Sequence, residues 1–247
     1  MDTIIQILAR ELGRSEAHVE NVVRLIDEGN TIPFIARYRK ELHGAMDDTA
    51  LRTLADRLQY LRNLDKRREE VKSAIEGQGK LTEELSAAID AAATLAEVED
   101  LYRPYRQKRR TRATVAREKG LEPLAELLFA QAADGPAPEE AAGAFIDPEK
   151  GVETAEDALQ GASDIIAERI SDDADIRKRL RELVWKKGYL VSAAAAKEPE
   201  DTVYRLYYAF RSPLNRVQGH QVLAINRGER ELSLIHISEP TRLQLIS

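Results

Sequence analysis

The apolar residues near the N-terminus recur at helical spacing and predict two consecutive helices. The first begins after Asp2 or Thr3 and ends at Gly13, and the second begins after Ser15 and ends at Gly29. Their apolar faces are formed by Ile4, Ile5, Leu8 and Leu12 and by Val19, Val22, Val23 and Ile26. The short turn between them fits a helix-turn-helix or an αα-hairpin, and the hairpin is favoured because it is a generic connection.

The longest predicted helix begins at Asp47 or Asp48 and ends at Gly77. Its apolar positions are Leu51, Leu54, Leu58, Leu61, Leu64, Val71 and Ile75. Their spacings of three, four and seven residues form an apolar stripe beside a heavily charged face. Further helices are predicted after Thr82, after Thr94 with Glu97 as a capping box, from Pro123 to about Ala132, from Thr154 to Ile170, over Asp172–Lys187 and over Asp201–Phe210.

Strand signals are few and lie in the C-terminal part of the chain. Tyr189–Val191 and Val222–Asn226 are short apolar runs that predict strands. The Gly- and Pro-rich stretch 134–138 predicts a linker between a first helical region, 1–133, and a second helical subdomain, 139–215. The predicted fold class is therefore mostly α, a multi-helix scaffold with a helix-turn-helix-like hairpin.

Composition narrows the possible functions. The chain has 247 residues, a net charge of −6 and an isoelectric point near 5.5, which argues against a uniformly basic nucleic-acid binder but allows a local basic patch. It has no cysteine and its four histidines are scattered, so no metal site is predicted. Without a catalytic motif, a cofactor loop, a signal peptide or a membrane-length apolar run, we expect a cytoplasmic protein that is not an enzyme and has no cofactor.

The strongest concentration of charge is the stretch 103–112, which holds six cations and no acid. The cations are Arg103, Arg106, Lys108, Arg109, Arg110 and Arg112. Such a loop, which includes Tyr105, could bind phosphates and stack a base. Alternatively, its cations pair with the many carboxylates of this acidic protein. Both interpretations stay open from sequence.

A second cation-rich stretch, 30–41, combines Pro33 and two aromatic residues with three cations. Pro33 suits the start of a helix that runs to about Leu42, and Thr31 and Ile32 before it should be extended. Phe34 and Tyr38 lie one turn apart, and the cations are Arg37, Arg39 and Lys40. The favoured interpretation is a structural wedge with buried aromatic rings and with arginines bound to carbonyls or carboxylates. Core positions are also expected for Trp185, Tyr204, Tyr207 and Tyr208.

The stretch 30–41, Asn-Thr-Ile-Pro-Phe-Ile-Ala-Arg-Tyr-Arg-Lys-Glu, closely resembles a signature of the bacterial Tex family of transcription accessory proteins. The resemblance continues, in the family's order, through Asp56–Arg62, Glu99–Tyr105, Lys108–Thr114, Ala116–Leu124 and Val222–Glu229. Arg103 and Gln107 depart from the apolar residue and the proline that are more usual there. The resemblance spans residues 1 to about 231.

This resemblance implies an RNA-binding, non-catalytic accessory protein with RNA or DNA, and transcription machinery, as partners. Family members are longer and continue into an RNase-H-like domain, helix-hairpin-helix elements and an OB-fold domain that supplies most nucleic-acid binding. By this resemblance, residues 216–231 begin a truncated RNase-H-like domain at its first strand. The alternatives are a protein-interaction scaffold with a structural basic loop, or part of a cryptic hydrolase.

The C-terminal stretch Leu232–Ser247 has a different expected origin. Its first part, Leu-Ser-Leu-Ile-His-Ile-Ser-Glu-Pro-Thr-Arg, resembles the translation of a sequencing-library adapter. We therefore predict that the natural coding sequence ends at about Glu231 and exclude the remainder from fold prediction. The alternative is a native strand, since Leu232–Ile237 alternates in polarity.

Overall fold

The computed structural model describes residues 3–132, 135–196 and 202–239. The prediction of a mostly α protein is confirmed, with one small sheet near the C-terminal end. The chain divides into two compact units, residues 1–106 and residues 107–247, which we describe separately as unit 1 and unit 2.

Unit 1 is helical throughout its regular structure. Its helices are α1 (Ile4–Leu12), α2 (Glu16–Asp27), α3 (Ile32–Tyr38), α4 (Asp48–Glu76), α5 (Glu83–Ala91) and α6 (Leu95–Tyr102). All seven apolar positions predicted for the longest helix are buried on α4, which packs against the other helices of the unit. The amphipathic stripe of this one helix therefore organises the core of unit 1.

The N-terminal helix pair forms as predicted. Thr3 and Gln6 make a capping box at the start of α1, and Ser15 caps α2 by accepting a hydrogen bond from the backbone N–H of His18. Gly13 ends α1 in the left-handed conformation, with φ of 61°, which a residue without Cβ adopts at little cost. The two helices pack against each other as an αα-hairpin.

Helix α3 is shorter than predicted. It ends at Tyr38 rather than near Leu42, since Arg39 leaves the helical region with φ of −130° and ψ of 33°. Thr31 is extended as expected, but Ile32 is already the first helical residue despite preceding Pro33. Pro33 lies in the first turn, where backbone N–H groups have no intrahelical acceptor, so the absence of its N–H costs no hydrogen bond.

Unit 2 contains a helical part built around one long helix. Its helices are α7 (Arg112–Glu118), α8 (Glu122–Ala130), α9 (Pro138–Gly143), α10 (Ala155–Asp172), α11 (Ala174–Lys187) and α12 (Gly219–Arg230). Helix α10 begins with a Thr154–Asp157 capping box and packs against α7, α8 and α9. The predicted linker begins at residue 134, which lies outside the described residues, and its last residue, Pro138, is the first of α9.

The sheet of unit 2 is antiparallel, with strand order β2-β1-β3. Strand β1 (Tyr189–Ala194) contains the predicted strand Tyr189–Val191 and is longer by three residues. It pairs with β2 (Ala209–Pro213) and β3 (Leu234–Glu239). Central pairing places Val191 opposite Arg211 on one side and Ile237 on the other. Ser192 is buried on β1 and its hydroxyl donates to the carbonyl of Tyr207 over 2.8 Å, so the polar group in this core is satisfied.

Two secondary-structure predictions in unit 2 are wrong. Val222–Asn226 is not a strand but part of α12, in which Ile225 and Gly228, three residues apart, are buried. An apolar run this short does not distinguish a strand from a helix, and tertiary burial selected the helical period. The helix predicted over Asp201–Phe210 is instead a 3₁₀ turn, Arg205–Tyr207, followed by β2; Asp201 itself lies outside the described residues.

The predicted core aromatics of unit 2 behave differently from one another. Tyr204 is buried, and its hydroxyl donates to the Glu231 carboxylate over 2.7 Å, while Tyr207 and Tyr208 pack beside it as expected. The core position predicted for Trp185 is wrong, because this residue on α11 is 60% exposed. Helix α11 has no buried residue, so the Trp185 indole is not part of a core.

Within the described part of the C-terminal stretch, residues 234–239 form strand β3. Residues 240–247 lie outside the described residues. An adapter origin for Leu232–Ser247 concerns the gene rather than the fold, and it stays a prediction that sequencing the intact gene would test.

Candidate nucleic-acid interface

The predicted basic stretch 103–112 is divided between the two units. Arg103 lies in a 3₁₀ turn, Arg103–Tyr105, that follows α6 in unit 1, and Arg106 is the last residue of that unit. Residues 107–111 lead into α7, which begins at Arg112 with Thr111 as its N-cap. Arg103 and Arg106 therefore belong to unit 1, and the other four cations belong to unit 2.

Lys108 is held by acids of α10. Its ammonium lies 3.4 Å from Glu168 Oε1 and forms a shorter ion pair with Asp172. Glu168 also accepts from Arg117 Nη1 over 2.7 Å and from the Thr111 hydroxyl over 3.0 Å. Burial alone would raise the pKa of Glu168, but the hydrogen bonds from Arg117 and Thr111 and the charge of Lys108 outweigh it and lower this pKa. For Lys108, the structural interpretation is the better one.

The arginines beside Lys108 are more open to solvent. Arg110 pairs with Glu118 over 2.6 Å, but its side chain is 69% exposed. Arg109 and Arg112 are exposed, and no carboxylate of the described residues lies within ion-pair distance of either. On the unit 1 side, Arg106 is exposed in the same way, whereas Arg103 has an interaction partner. The six cations thus divide into a structural group and an available group.

Helix α3 carries the second cation-rich surface, and its aromatic rings are not buried. Phe34 is 36% exposed and Tyr38 is 56% exposed, with ring centroids 5.2 Å apart and planes tilted by 46°. The wedge interpretation is therefore wrong for both rings. The predicted binding of arginine to a carbonyl occurs at Arg39, whose Nη1 donates to the Tyr38 oxygen over 3.3 Å.

The exposure of these rings follows from a competition between two apolar stripes on one short helix. Ile35 is fully buried, and Ile32 and Ala36 pack beside it on the core of unit 1. Phe34 and Tyr38 form a different stripe, and a helix of seven residues presents only one stripe to the core. The signal was present in the sequence as two alternative apolar faces, but spacing alone did not rank them.

The described part of the chain has neither a cluster of metal-ligand residues nor a helix able to span a bilayer. No group of three or more His, Asp or Glu residues there could hold a metal ion. Asp173 caps α11 by accepting a hydrogen bond from the backbone N–H of Ile176, and acids are favourable at a helix start. Among the described helices, none is both long and apolar enough to cross a bilayer.

Two protein-family models match this chain. The family model for the Tex-like protein N-terminal domain matches residues 2–76, and the model for the Tex central region-like domain matches residues 134–239. The chain belongs to the Tex family. Helix α3 lies inside the first matched region, and the basic stretch 103–112 lies between the two. The second match includes residues 232–239, which form the described part of the predicted adapter-derived stretch.

Individual Tex relatives support the same assignment. The chain is 46% identical over 229 residues to Protein tex of Bordetella pertussis, covering 92% of this chain and 29% of that protein. It is 41% identical to the transcriptional accessory protein Tex of Neisseria gonorrhoeae, covering 92% and 30%. It is 32% identical to the human S1 RNA-binding domain-containing protein 1, covering 92% and 23%. The chain thus spans roughly 30% of the length of its bacterial relatives.

Proposed function

We propose that this chain is the N-terminal scaffold of a non-catalytic, RNA-binding transcription accessory protein, and that it contributes an auxiliary phosphate-binding surface of its own. The surface comprises Arg109, Arg110 and Arg112 in unit 2. The names of its relatives, one of which is called an RNA-binding domain protein and another a transcriptional accessory protein, support the general role.

The observation that carries the proposal is the availability of these arginines in an acidic chain. Arg109 and Arg112 are exposed and have no carboxylate of the described residues within ion-pair distance, although the chain carries 43 acids against 37 Lys and Arg. Arg110 shares only an exposed pair with Glu118, and exposed pairs are worth little. A phosphate backbone can therefore compete for all three guanidinium groups.

The net charge sets the character of this binding. A chain with net charge −6 repels a polyanion except close to its cations, so affinity should be weak, independent of sequence and steeply dependent on salt. The proposed partners are RNA or DNA together with transcription machinery in the cytoplasm. The tighter binding expected of the whole protein belongs to parts outside this chain.

The test is a titration of the full chain with labelled RNA and DNA at several salt concentrations. Replacing Arg109, Arg110 and Arg112 with Gln should weaken binding and flatten the salt slope by about 0.7–0.9 per lost phosphate contact. The matched control replaces Arg52, Arg62 and Arg169 with Gln. Each of these arginines is partly or fully exposed and is paired with an acid, Asp48, Asp27 and Glu126 respectively. The control removes the same formal charge.

The outcome separates the proposal from its alternatives. Equal loss in both triple variants would mean that net charge, not this surface, governs binding. If the unmodified chain does not bind at low ionic strength, the protein-interaction scaffold becomes the better account. Lys108→Gln should instead lower stability with little change in salt slope, because Lys108 is paired with Glu168 and Asp172.

A further inference from the structure

We propose that α3 is a second nucleic-acid contact, at which unpaired bases of a single strand stack on Phe34 and Tyr38 while Arg37, Arg39 and Lys40 bind the adjoining phosphates. This inference rests on the proposed nucleic-acid function, but it uses a different unit, different residues and a different kind of contact. We call these five residues the α3 surface.

The first step is the exposure of the two rings. Phe34 and Tyr38 form the exposed aromatic pair of α3, while Ile35 of the same helix is fully buried. Because Ile32, Ile35 and Ala36 anchor the helix to the core, the rings are held on a fixed support. Aromatic rings presented in this way are stacking platforms, and each stacked base adds about 1–3 kcal/mol in single-strand binding proteins.

The second step is the state of the cations. The Arg39 guanidinium lies 5.5 Å from the centroid of Phe34, and that of Arg37 lies 6.0 Å from the centroid of Tyr38. No carboxylate of the described residues pairs with Arg37, Arg39 or Lys40. Contact with a ring face leaves guanidinium N–H groups able to donate to phosphate oxygens.

Several other arginines of the same unit differ, because their guanidinium groups are bound to carboxylates. Arg57 makes two 2.7 Å hydrogen bonds to Glu11, Arg62 binds Asp27 through both terminal nitrogens, and Arg67 binds Glu99 over 2.6 Å. The acids of unit 1 therefore neutralise these arginines and leave the cations beside the exposed rings available for an external anion.

The chemistry of the surface selects among polyanions. A duplex hides the faces of its bases, so it could use the cations but not the rings. An acidic peptide offers carboxylates but no sequence of flat aromatic faces. A single strand offers both phosphates and unstacked bases within a few ångströms of each other, and therefore complements the whole α3 surface.

The first experiment measures binding of the full chain to oligouridylate, to oligothymidylate and to a duplex of the same length. Tyr38→Ala should weaken single-strand binding by about 5- to 150-fold, which is the equivalent of one stacked base, without changing the salt slope. Tyr38→Phe should retain most of the affinity because it keeps the ring. Arg37→Gln should instead reduce the salt slope.

Phe129→Ala in unit 2 is the matched control. Phe129 is also an exposed ring with a guanidinium over it, that of Arg169 at 4.2 Å, but this arginine is paired with Glu126. Removing the Phe129 ring should leave nucleic-acid binding unchanged. If Phe129→Ala and Tyr38→Ala weaken binding equally, stacking is not specific to the α3 surface and the proposal is overturned.

A spectroscopic experiment reports stacking directly. Trp185 is the single tryptophan, so Tyr38→Trp in a Trp185→Phe background places the fluorophore on α3 alone. Either single strand should quench its emission, and duplex or polyglutamate should not. Quenching by polyglutamate as strong as by oligonucleotide would indicate a protein partner and overturn the proposal.

The two proposals fail separately. If the Arg109, Arg110 and Arg112 variant loses binding but Tyr38→Ala and the fluorophore are unaffected, the α3 surface is not a contact and the proposed function stands. If the unmodified chain binds no nucleic acid at low salt, both fail. Because Tyr38 is largely exposed, urea unfolding of Tyr38→Ala should match that of the unmodified chain and exclude misfolding as the cause.

Discussion

Helices α4 and α11 resemble each other in charge content and capping but differ in how many of their residues are buried. Both are rich in charge, and both begin with an aspartate that caps the first turn, Asp47 in α4 and Asp173 in α11. Yet α4 buries seven apolar residues, whereas α11 buries none and leaves Leu180 and Trp185 more than half exposed. Helical periodicity predicts which apolar residues lie on the same face of a helix. It does not predict whether another element packs against that face.

The largest expected effect comes from the buried stripe of α4. Leu54→Ala removes a fully buried side chain at the centre of unit 1, and should lower the free energy of unfolding by about 2–5 kcal/mol. Urea unfolding followed by circular dichroism would measure the change. A loss below about 1 kcal/mol would mean that α4 does not organise this core.

The helix caps provide a matched pair with a smaller effect. Asp47 accepts from the Ala50 N–H over 2.7 Å, and Asp173 accepts from the Ile176 N–H over 2.8 Å, so either change to Ala removes one similar bond. Each helix should lose about 0.5–2 kcal/mol. Hydrogen exchange should show the Asp47→Ala loss in the global stability of unit 1, and the Asp173→Ala loss as local fraying of α11. Global destabilisation by both would contradict the contrast.

A third test uses the ion pair that ties α1 to α4. The hydrogen bonds from Arg57 lower the pKa of Glu11 below its ordinary value, so the carboxylate is favoured in the folded state. The stabilisation should be fully present above an unfolded-state pKa of about 4.3 and be lost as pH falls through the lower folded-state pKa. Glu11→Gln should remove this part of the acid dependence and about 0.2–1 kcal/mol at neutral pH, measured by unfolding at several pH values.

The smallest expected effect is at the uncovered face of α11. Leu180→Ala replaces a side chain that is 54% exposed and should change the stability of unit 2 by no more than about 0.5 kcal/mol. Fluorescence of Trp185, which lies on the same helix, would follow the transition. A loss as large as that of Leu54→Ala would show that this face is covered in solution, and would remove the difference between the two helices.

The two cation-rich surfaces show how far a candidate site could be predicted. The sequence identified the stretch 103–112, but not which cations were committed to structure, because Glu168 and Asp172 lie far along the chain from Lys108. For α3, the sequence placed Phe34 and Tyr38 together but assigned them to the core. That prediction was wrong because a different stripe of the same helix, formed by Ile32, Ile35 and Ala36, packs against the core.

Features that depend on neighbours along the chain were predictable from local sequence: the helix starts at Asp47 and Thr154, the turn at Gly13, the buried stripe of α4 and membership of the Tex family. Three other features became visible only in the folded chain: which stripe of α3 is buried, that Val222–Asn226 is helical, and which cations are paired. Caps and periodicity act within one or two helical turns. Burial and ion pairing depend on groups brought together from distant positions, which no local pattern specifies.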